Sequence, residues 1–285
     1  MSTLTAHPRL ALVASTERDS PGTDVLAAQL GLPQLPAGFS PTTPSDYDAL
    51  LIVSGDKLSL QQTRRAPATP VQNQRRRPGR GALPGPVAVD FGSEAMRHRR
   101  RSGHNELLGK AVGVAGRPRL HVLDATAGLG RDSFVLADMG CTVTLCEREP
   151  VIAALLEWGM RSALASTDPW LVQVLQRMTL LSTDARSAVA SSLRGVDVIY
   201  LDPMFPARDK SAAVKKEMAL FQLLLDGAVA PRDAEALLHW ALAQDVARVI
   251  VKRPLRAPPL AAVQPSHNLA GKAVRFDVYV LRGLG

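Results

Sequence analysis

A carboxylate, two prolines and an aromatic ring stand together directly after an apolar run. The segment Asp202-Pro203-Met204-Phe205-Pro206 follows VDVIYL. An exocyclic amine on a nucleobase is a poor nucleophile because its lone pair is delocalised into the ring. Hydrogen bonds from the amine to Asp202 and to the Pro203 carbonyl would favour a more pyramidal nitrogen, and Phe205 could stack on an extruded base. The sequence therefore predicts Asp202, Pro203 and Phe205 as a catalytic set for transfer to such an amine.

A second group of residues predicts a cofactor site. Asp124 lies in the first apolar run of the regular region, and Gly128 and Gly130 follow in a turn. Glu147 ends the next run, where a carboxylate can accept hydrogen bonds from ribose hydroxyls. Ser133 stands where a nicotinamide dinucleotide motif would have its third glycine, so the turn suits a cofactor without a pyrophosphate. We therefore predict S-adenosyl-L-methionine (SAM) as the cofactor.

Polar residues near this turn predict further contacts. Arg131 and Asp132 are candidates for the methionine end of SAM, with a solvated Arg131 and a helix cap at Asp132 as the alternative. Asp184 follows the third apolar run. It would either accept from the adenine amino group or cap a helix.

Alternating strands and helices must position these residues. From residue 120 onward, strands are predicted at 121–127, 142–147, 178–183, 196–201, 247–252 and 275–281, and helices near 131–139, 150–165, 185–193, 211–229 and 232–244. This alternation predicts an α/β fold, a Rossmann-like sheet with helices on both faces. Residues 96–285 would form that domain. Residues 1–95 would form a small N-terminal α/β subdomain with strands at 9–15, 49–53 and 87–91 and an exposed Arg/Pro-rich loop at 61–86.

The positive charge is concentrated in one stretch. The chain has a formal net charge of +8, and residues 57–120 hold fourteen basic and three acidic side chains. Such a stretch predicts a polyphosphate partner, with a solvated surface as the alternative. The candidate contacts are Arg97, His98, Arg99, Arg100, Arg101, Lys210, Lys215 and Lys216.

Composition excludes several classes of protein. The chain has 285 residues, and no apolar run approaches the roughly 18 residues that a membrane span needs. The N-terminus lacks the basic region of a secretory signal. Two cysteines cannot form a disulfide framework, and the six histidines show no ligand spacing. We expect a soluble cytoplasmic protein that binds no metal and no membrane.

Several segments resemble the bacterial small-subunit ribosomal RNA guanine-N2 methyltransferase J family. The resemblance covers roughly residues 85–280, and DPMFP followed by KSAAVKKEM is its most specific part. The matching segments are MRHRR at 96–100, GKAVG at 109–113, DATAGLGRDSFVLADMGC at 124–141, ER at 147–148, PVIAALLEWG at 150–159, VIYLDPMFP at 198–206, KSAAVKKEM at 210–218, VKRP at 251–254, APPLA at 257–261 and RFDVY at 275–279.

The resemblance implies a class I methyltransferase fold and SAM as methyl donor. It also implies methylation of a guanine N2 in 16S ribosomal RNA, as naked RNA or within the 30S subunit. The cofactor positions that it implies are Arg131, Asp132, Glu147, Arg148, Asp202 and the pair after the third strand, which is Asp184-Ala185 here and serine-serine in the family pattern.

Two other functions remain open at this point. A DNA adenine-N6 methyltransferase could use the same Asp202-Pro203 segment, because both reactions modify an exocyclic amine. A basic ribosome-assembly factor could keep the fold without catalysis. A nicotinamide oxidoreductase is disfavoured, because the third glycine and a hydride-handling set of His, Lys and Tyr are absent from the sequence.

Overall fold

The computed structural model describes residues 8–64, 83–100, 103–116, 119–188, 193–203, 221, 223–224 and 231–285, with residues 99–100, 103–105 and 231–232 described by their backbone alone. Within residues 8–203, one compact unit ends at Val89 and a second begins at Asp90. Residues 231–285 belong to the second unit. No helix in these ranges is long and apolar enough to cross a membrane.

The first unit is built on a five-stranded sheet with the order β2-β1-β3-β4-β5. Strand β1 is parallel to β2 and β3, whereas β4 is antiparallel to β3 and β5. The predicted strands at 9–15 and 49–53 are confirmed as β1 and β3. The elements are β1 Leu10–Ala14, α1 Ser20–Leu30, β2 Gln34–Leu35, β3 Ala49–Ser54, β4 Lys57–Gln62 and β5 Val87–Ala88.

Several elements of the first unit differ from the predictions. Helix α1 and strands β2 and β4 were missed, and β4 extends into the predicted loop at 61–86. The strand predicted at 87–91 is shorter, because β5 pairs with β4 only at Val87 and Ala88. Residues 65–82 of the predicted loop lie outside the described residues.

The second unit is built on a seven-stranded sheet with the order β11-β12-β10-β9-β6-β7-β8. Its elements are α2 Glu94–Arg100, α3 Gly103–Val112, β6 His121–Asp124, α4 Arg131–Asp138, β7 Thr142–Cys146, α5 Pro150–Leu164, α6 Pro169–Leu175, β8 Met178–Leu181, β9 Val198–Leu201, α7 Pro231–Leu242, β10 Arg248–Pro254, β11 His267–Ala270 and β12 Val274–Val280.

The order of the strands confirms the predicted Rossmann-like sheet. The chain passes from β6 to β7 and β8 on one side and then returns to β9 and β10 on the other, all in parallel. Strand β12 is antiparallel to both of its neighbours. The order therefore reverses between β6 and β9. Ligands of such sheets bind at this point, beyond the carboxyl ends of the strands.

Buried strands fix the position of this edge. All four residues of β9 are buried, and β10 is buried at four of its seven positions. Pairing of Asp124 with Tyr200, and of Val251 with Leu201, places the ends of β6, β9 and β10 beside one another. The residues that follow these strands therefore lie close together.

Several elements of the second unit differ from the predictions. Helices α2 and α6 and strand β11 were missed. The helix predicted at 185–193 is a single 3-10 turn, Ala185–Ser187, within the described residues 185–188, because Ala188 adopts an extended backbone. The helix predicted at 211–229 lies almost wholly outside the described residues.

Candidate active site

The turn between β6 and α4 has the shape that the two glycines predict. Gly128 and Gly130 adopt left-handed backbone conformations, with φ of +54° and +70°. A Cβ on Gly130 would lie 2.7 Å from Leu156 Cδ1. A side chain at this position would therefore be strained and would collide with α5. We call residues 125–130 the donor turn.

Glu147, which follows β7, holds the donor turn. One carboxylate oxygen accepts the Gly128 N–H at 2.8 Å, and the other accepts the Glu149 N–H at 2.8 Å. Burial raises the pKa of Glu147. Since a carboxylate offers about four acceptor sites, Glu147 can hold the turn and still accept from ribose hydroxyls.

Asp124 is buried beneath the donor turn. Its carboxylate accepts the Thr126 N–H at 3.0 Å and the Ser133 hydroxyl. Burial raises the pKa of Asp124 to about 7, although both hydrogen bonds oppose the increase. The Thr126 hydroxyl in turn accepts the Asp202 N–H at 2.7 Å. Thr126, which sequence reasoning missed, thus connects the donor turn to the predicted catalytic segment.

Asp202 directly follows β9 and contacts a lysine from β10. The Lys252 ammonium lies 2.8 Å from Asp202 Oδ2 and 2.7 Å from Asp132 Oδ2. Asp132 also accepts the Tyr200 hydroxyl at 2.7 Å. Sequence reasoning assigned no role to Lys252 or Tyr200. Only the position of each residue near the end of its strand could have indicated one.

Arg148 and Asp184, which are both predicted to contact SAM, belong to an ion-pair network. Arg186 makes a bidentate contact with Asp184 at 2.9 and 2.6 Å. Arg148 lies 3.5 Å from Asp184 and 2.7 Å from Asp233. Asp184 also caps the 3-10 turn by accepting the Arg186 N–H, and Arg186 lowers its pKa to about 2. Ala185, the next residue, is buried in the core. The cap is therefore formed, and the contact with adenine stays a prediction.

The basic helix α2 is attached to α6 through Arg97. Its guanidinium lies 2.7 Å from Asp168 and 5.6 Å from the centre of the Trp170 ring. His98 is exposed. Arg97 therefore has a structural role, and its contact with RNA stays a prediction.

Several predicted site residues cannot be placed. Nothing is described of the side chains of Arg99 and Arg100, and Arg101, Phe205, Lys210, Lys215 and Lys216 lie outside the described residues. Pro203 is described and buried, and Arg131 begins α4. In the ranges that are described, no three His, Cys, Asp or Glu side chains are grouped so as to hold a metal ion.

The residues at the switch point fit SAM. The glycines leave the backbone of the donor turn open, and the carboxylates of Asp132 and Glu147 can accept from the donor's amino group and ribose hydroxyls. The sheet order, with its antiparallel β12, and this site together define a class I SAM-dependent methyltransferase.

Comparison with known proteins gives the same class. A family model described as putative SAM-dependent methyltransferase matches residues 54–281. A crystal structure of a SAM-dependent methyltransferase from Neisseria gonorrhoeae matches with a TM-score of 0.67 and 33% identity, over 97% of both chains.

Two relatives carry the name "Ribosomal RNA small subunit methyltransferase J". The protein of Thioalkalivibrio sulfidiphilus is 48% identical over 262 residues, covering 90% of this chain and 92% of the relative. That of Pseudomonas aeruginosa is 50% identical over 205 residues, covering 71% and 77%. The chain belongs to this methyltransferase J family, which confirms the predicted resemblance, and SAM is its methyl donor.

Proposed function

We propose that this enzyme transfers a methyl group from SAM to the exocyclic N2 of a guanine in 16S small-subunit ribosomal RNA. The names of the relatives support the RNA substrate. The contact between the Asp202 N–H and the Thr126 hydroxyl carries the assignment, because it holds the amine-binding segment against the donor turn at 2.7 Å. The substrate is either naked RNA or RNA within the 30S subunit.

The reaction requires mainly positioning. When bound, SAM would supply an electrophilic methyl group to the amine nitrogen in line, with S-adenosylhomocysteine as the leaving group and the displaced proton released to solvent. The Asp202 carboxylate and the Pro203 carbonyl accept hydrogen bonds from the amine, and Phe205 stacks on the guanine. Glu147 and Asp132 hold the ribose and the amino acid end of the donor, while Asp124 supports the turn beneath them.

The basic residues complete the proposal. Basic side chains would contact RNA phosphates. They belong to the N-terminal subdomain, residues 1–95, and to the beginning of the methyltransferase domain, which spans residues 96–285. The predicted contacts are Arg97, His98, Arg99, Arg100, Arg101, Lys210, Lys215 and Lys216. A ribosomal substrate implies a cytoplasmic location.

Methyl transfer from labelled SAM tests this function. Unmethylated 30S particles, naked 16S RNA and duplex DNA are each incubated with the enzyme and digested to nucleosides. We expect label in N2-methylguanosine. At saturating SAM, Asp202→Ala should lose at least about 10³-fold in rate. The control is Asp245→Ala, which removes an exposed carboxylate that is distant in sequence from Asp202 and should keep full activity.

Other outcomes identify the alternatives. Label in N6-methyladenine of DNA would replace the proposed substrate with a DNA adenine. A wild-type protein that binds no SAM would instead be a basic assembly factor. If Asp202→Ala transferred methyl groups at the wild-type rate, the catalytic assignment would be wrong.

A further inference from the structure

Lys252 connects the two halves of the candidate active site. It lies on β10, and its side chain is only 16% exposed between Asp132, at the start of α4, and Asp202, after β9. We propose that Lys252 is a positioning residue that fixes the Asp202 carboxylate for the incoming amine and ties it to the donor side of the site. This inference rests on the proposed function, in which Asp202 accepts from the amine.

The geometry explains why Asp202 needs such a contact. Its main chain is held by Thr126, but its side chain is 37% exposed. The Lys252 ammonium holds Oδ2, and a carboxylate with about four acceptor sites keeps capacity for the amine. Since misplacement of a reacting group by about 1 Å can lower the rate about 10²-fold, a fixed carboxylate has a direct kinetic effect.

The charges nearby also require the ammonium. Asp124, Asp132 and Asp202 lie close enough that the latter two raise the pKa of Asp124, in addition to the larger effect of burial. Burial alone would lower the pKa of Lys252, but Asp202 and Asp132 outweigh it and raise the pKa. Lys252 is therefore charged at neutral pH. A charged lysine has three donors and no acceptor, so it orients Asp202 and does not act as a base.

The two carboxylates depend on Lys252 to different degrees. Asp132 is buried and also accepts the Tyr200 hydroxyl, so it keeps a described contact when Lys252 is removed. Asp202 is more exposed and would lose its ion pair with the Lys252 ammonium. Loss of Lys252 should therefore affect the transfer step more than the binding of SAM.

Lys252→Met tests this difference, because methionine keeps most of the side-chain length and removes the charge. We expect kcat on 30S particles to fall about 10²-fold, while the donor Kd changes by less than about threefold. Lys252→Arg should recover at least about a tenth of wild-type kcat, because it restores the charge. Lys272→Met makes the same change at an exposed lysine and should leave both constants unaltered. An unchanged kcat, or a donor Kd that rises as much as kcat falls, would overturn the proposal.

An NMR measurement tests the contact without any turnover. In protein labelled with ¹⁵N-lysine, a slowly exchanging ammonium signal should be present in the wild type, absent in Lys252→Met and shifted in Asp202→Asn. If no such signal exists, or if Asp202→Asn leaves it unmoved, the contact and the proposal fail. The proposed function fails differently, because then wild-type enzyme transfers no label to RNA. The transfer role of Lys252 would fall with it, while the NMR result would still decide whether the lysine orients Asp202.

Discussion

Replacing Gly130 by alanine tests whether packing shapes the donor turn. Gly130 has a φ of +70°, and a Cβ there would lie 2.7 Å from Leu156 Cδ1 and 3.2 Å from Phe91 Cζ. Gly195, just before β9, has the same φ of +70°, but a Cβ there would have no neighbour within 4 Å. Alanine variants at these two positions therefore share the backbone strain and differ in the steric clash.

The two contributions can be estimated separately. A left-handed backbone costs an alanine about 1–2 kcal/mol at either position. Overpacking adds about 1–3 kcal/mol at Gly130 alone. We therefore expect Gly130→Ala to lower the free energy of unfolding by about 2–5 kcal/mol, against about 1–2 kcal/mol for Gly195→Ala.

Urea denaturation and donor titration measure both effects. The clash should be relieved partly by displacement of the donor turn, so the Kd for SAM should rise at least about tenfold in Gly130→Ala. In Gly195→Ala it should stay within about twofold of wild type. Equal losses of stability in the two variants would refute the packing argument. An unchanged donor affinity in Gly130→Ala would show that the turn does not bind the donor.

Three further predictions concern other residues of the second unit. Glu147→Gln should weaken SAM binding about tenfold in a titration, because the side-chain NH2 of glutamine would face one of the two backbone N–H groups that Glu147 accepts. The control, Glu157→Gln, changes an exposed residue on α5 and should have no effect. As the pH rises from 4 to 7, the wild type should lose stability relative to Asp124→Asn in urea denaturation. The reason is that folded Asp124, with a pKa of about 7, keeps a proton that the unfolded chain releases. Arg97→Met should lower the free energy of unfolding by about 0.5–1 kcal/mol without RNA.

The outcomes that contradict these predictions are distinct. Equal donor affinities in Glu147→Gln and Glu157→Gln would exclude Glu147 from the donor site. Parallel stability curves against pH for wild type and Asp124→Asn would show that Asp124 is ionised in the folded protein. If Arg97→Met kept the full stability and lost only RNA affinity, Arg97 would be a phosphate contact and not a structural one.

The class of the sheet and the carboxylates near the ends of its strands could be predicted from the sequence. Asp124, Glu147 and Asp202 lie at or just after the ends of buried strands, and parallel strands bring such ends to one edge. The left-handed glycines could also be predicted, because a turn directly after a strand often needs them. These inferences depend only on residue type and local order.

The missed elements depended on weaker local signals. Strands β3 and β4 are joined by Gly55-Asp56, and such a two-residue turn between apolar runs is a hairpin signal that we overlooked. The prediction of a helix at 185–193 was wrong, because the Asp184 side chain caps a single turn and the extended backbone of Ala188 ends it. Lys252 could not be recognised, because its contact with Asp202 requires knowing that β10 lies beside β9 in this register.

The described contacts separate the chemistry of transfer from the choice of RNA. Asp202 is bound through its main chain to Thr126 of the donor turn, and through Lys252 to Asp132 at the start of α4. Both connections run from the acceptor side of the switch point to the donor side. A substitution at Lys252 should therefore alter the rate on every accepted substrate alike. The predicted phosphate contacts His98, Arg99 and Arg100 lie outside this set, so we expect their replacement to raise KM for RNA and to leave the donor Kd unchanged.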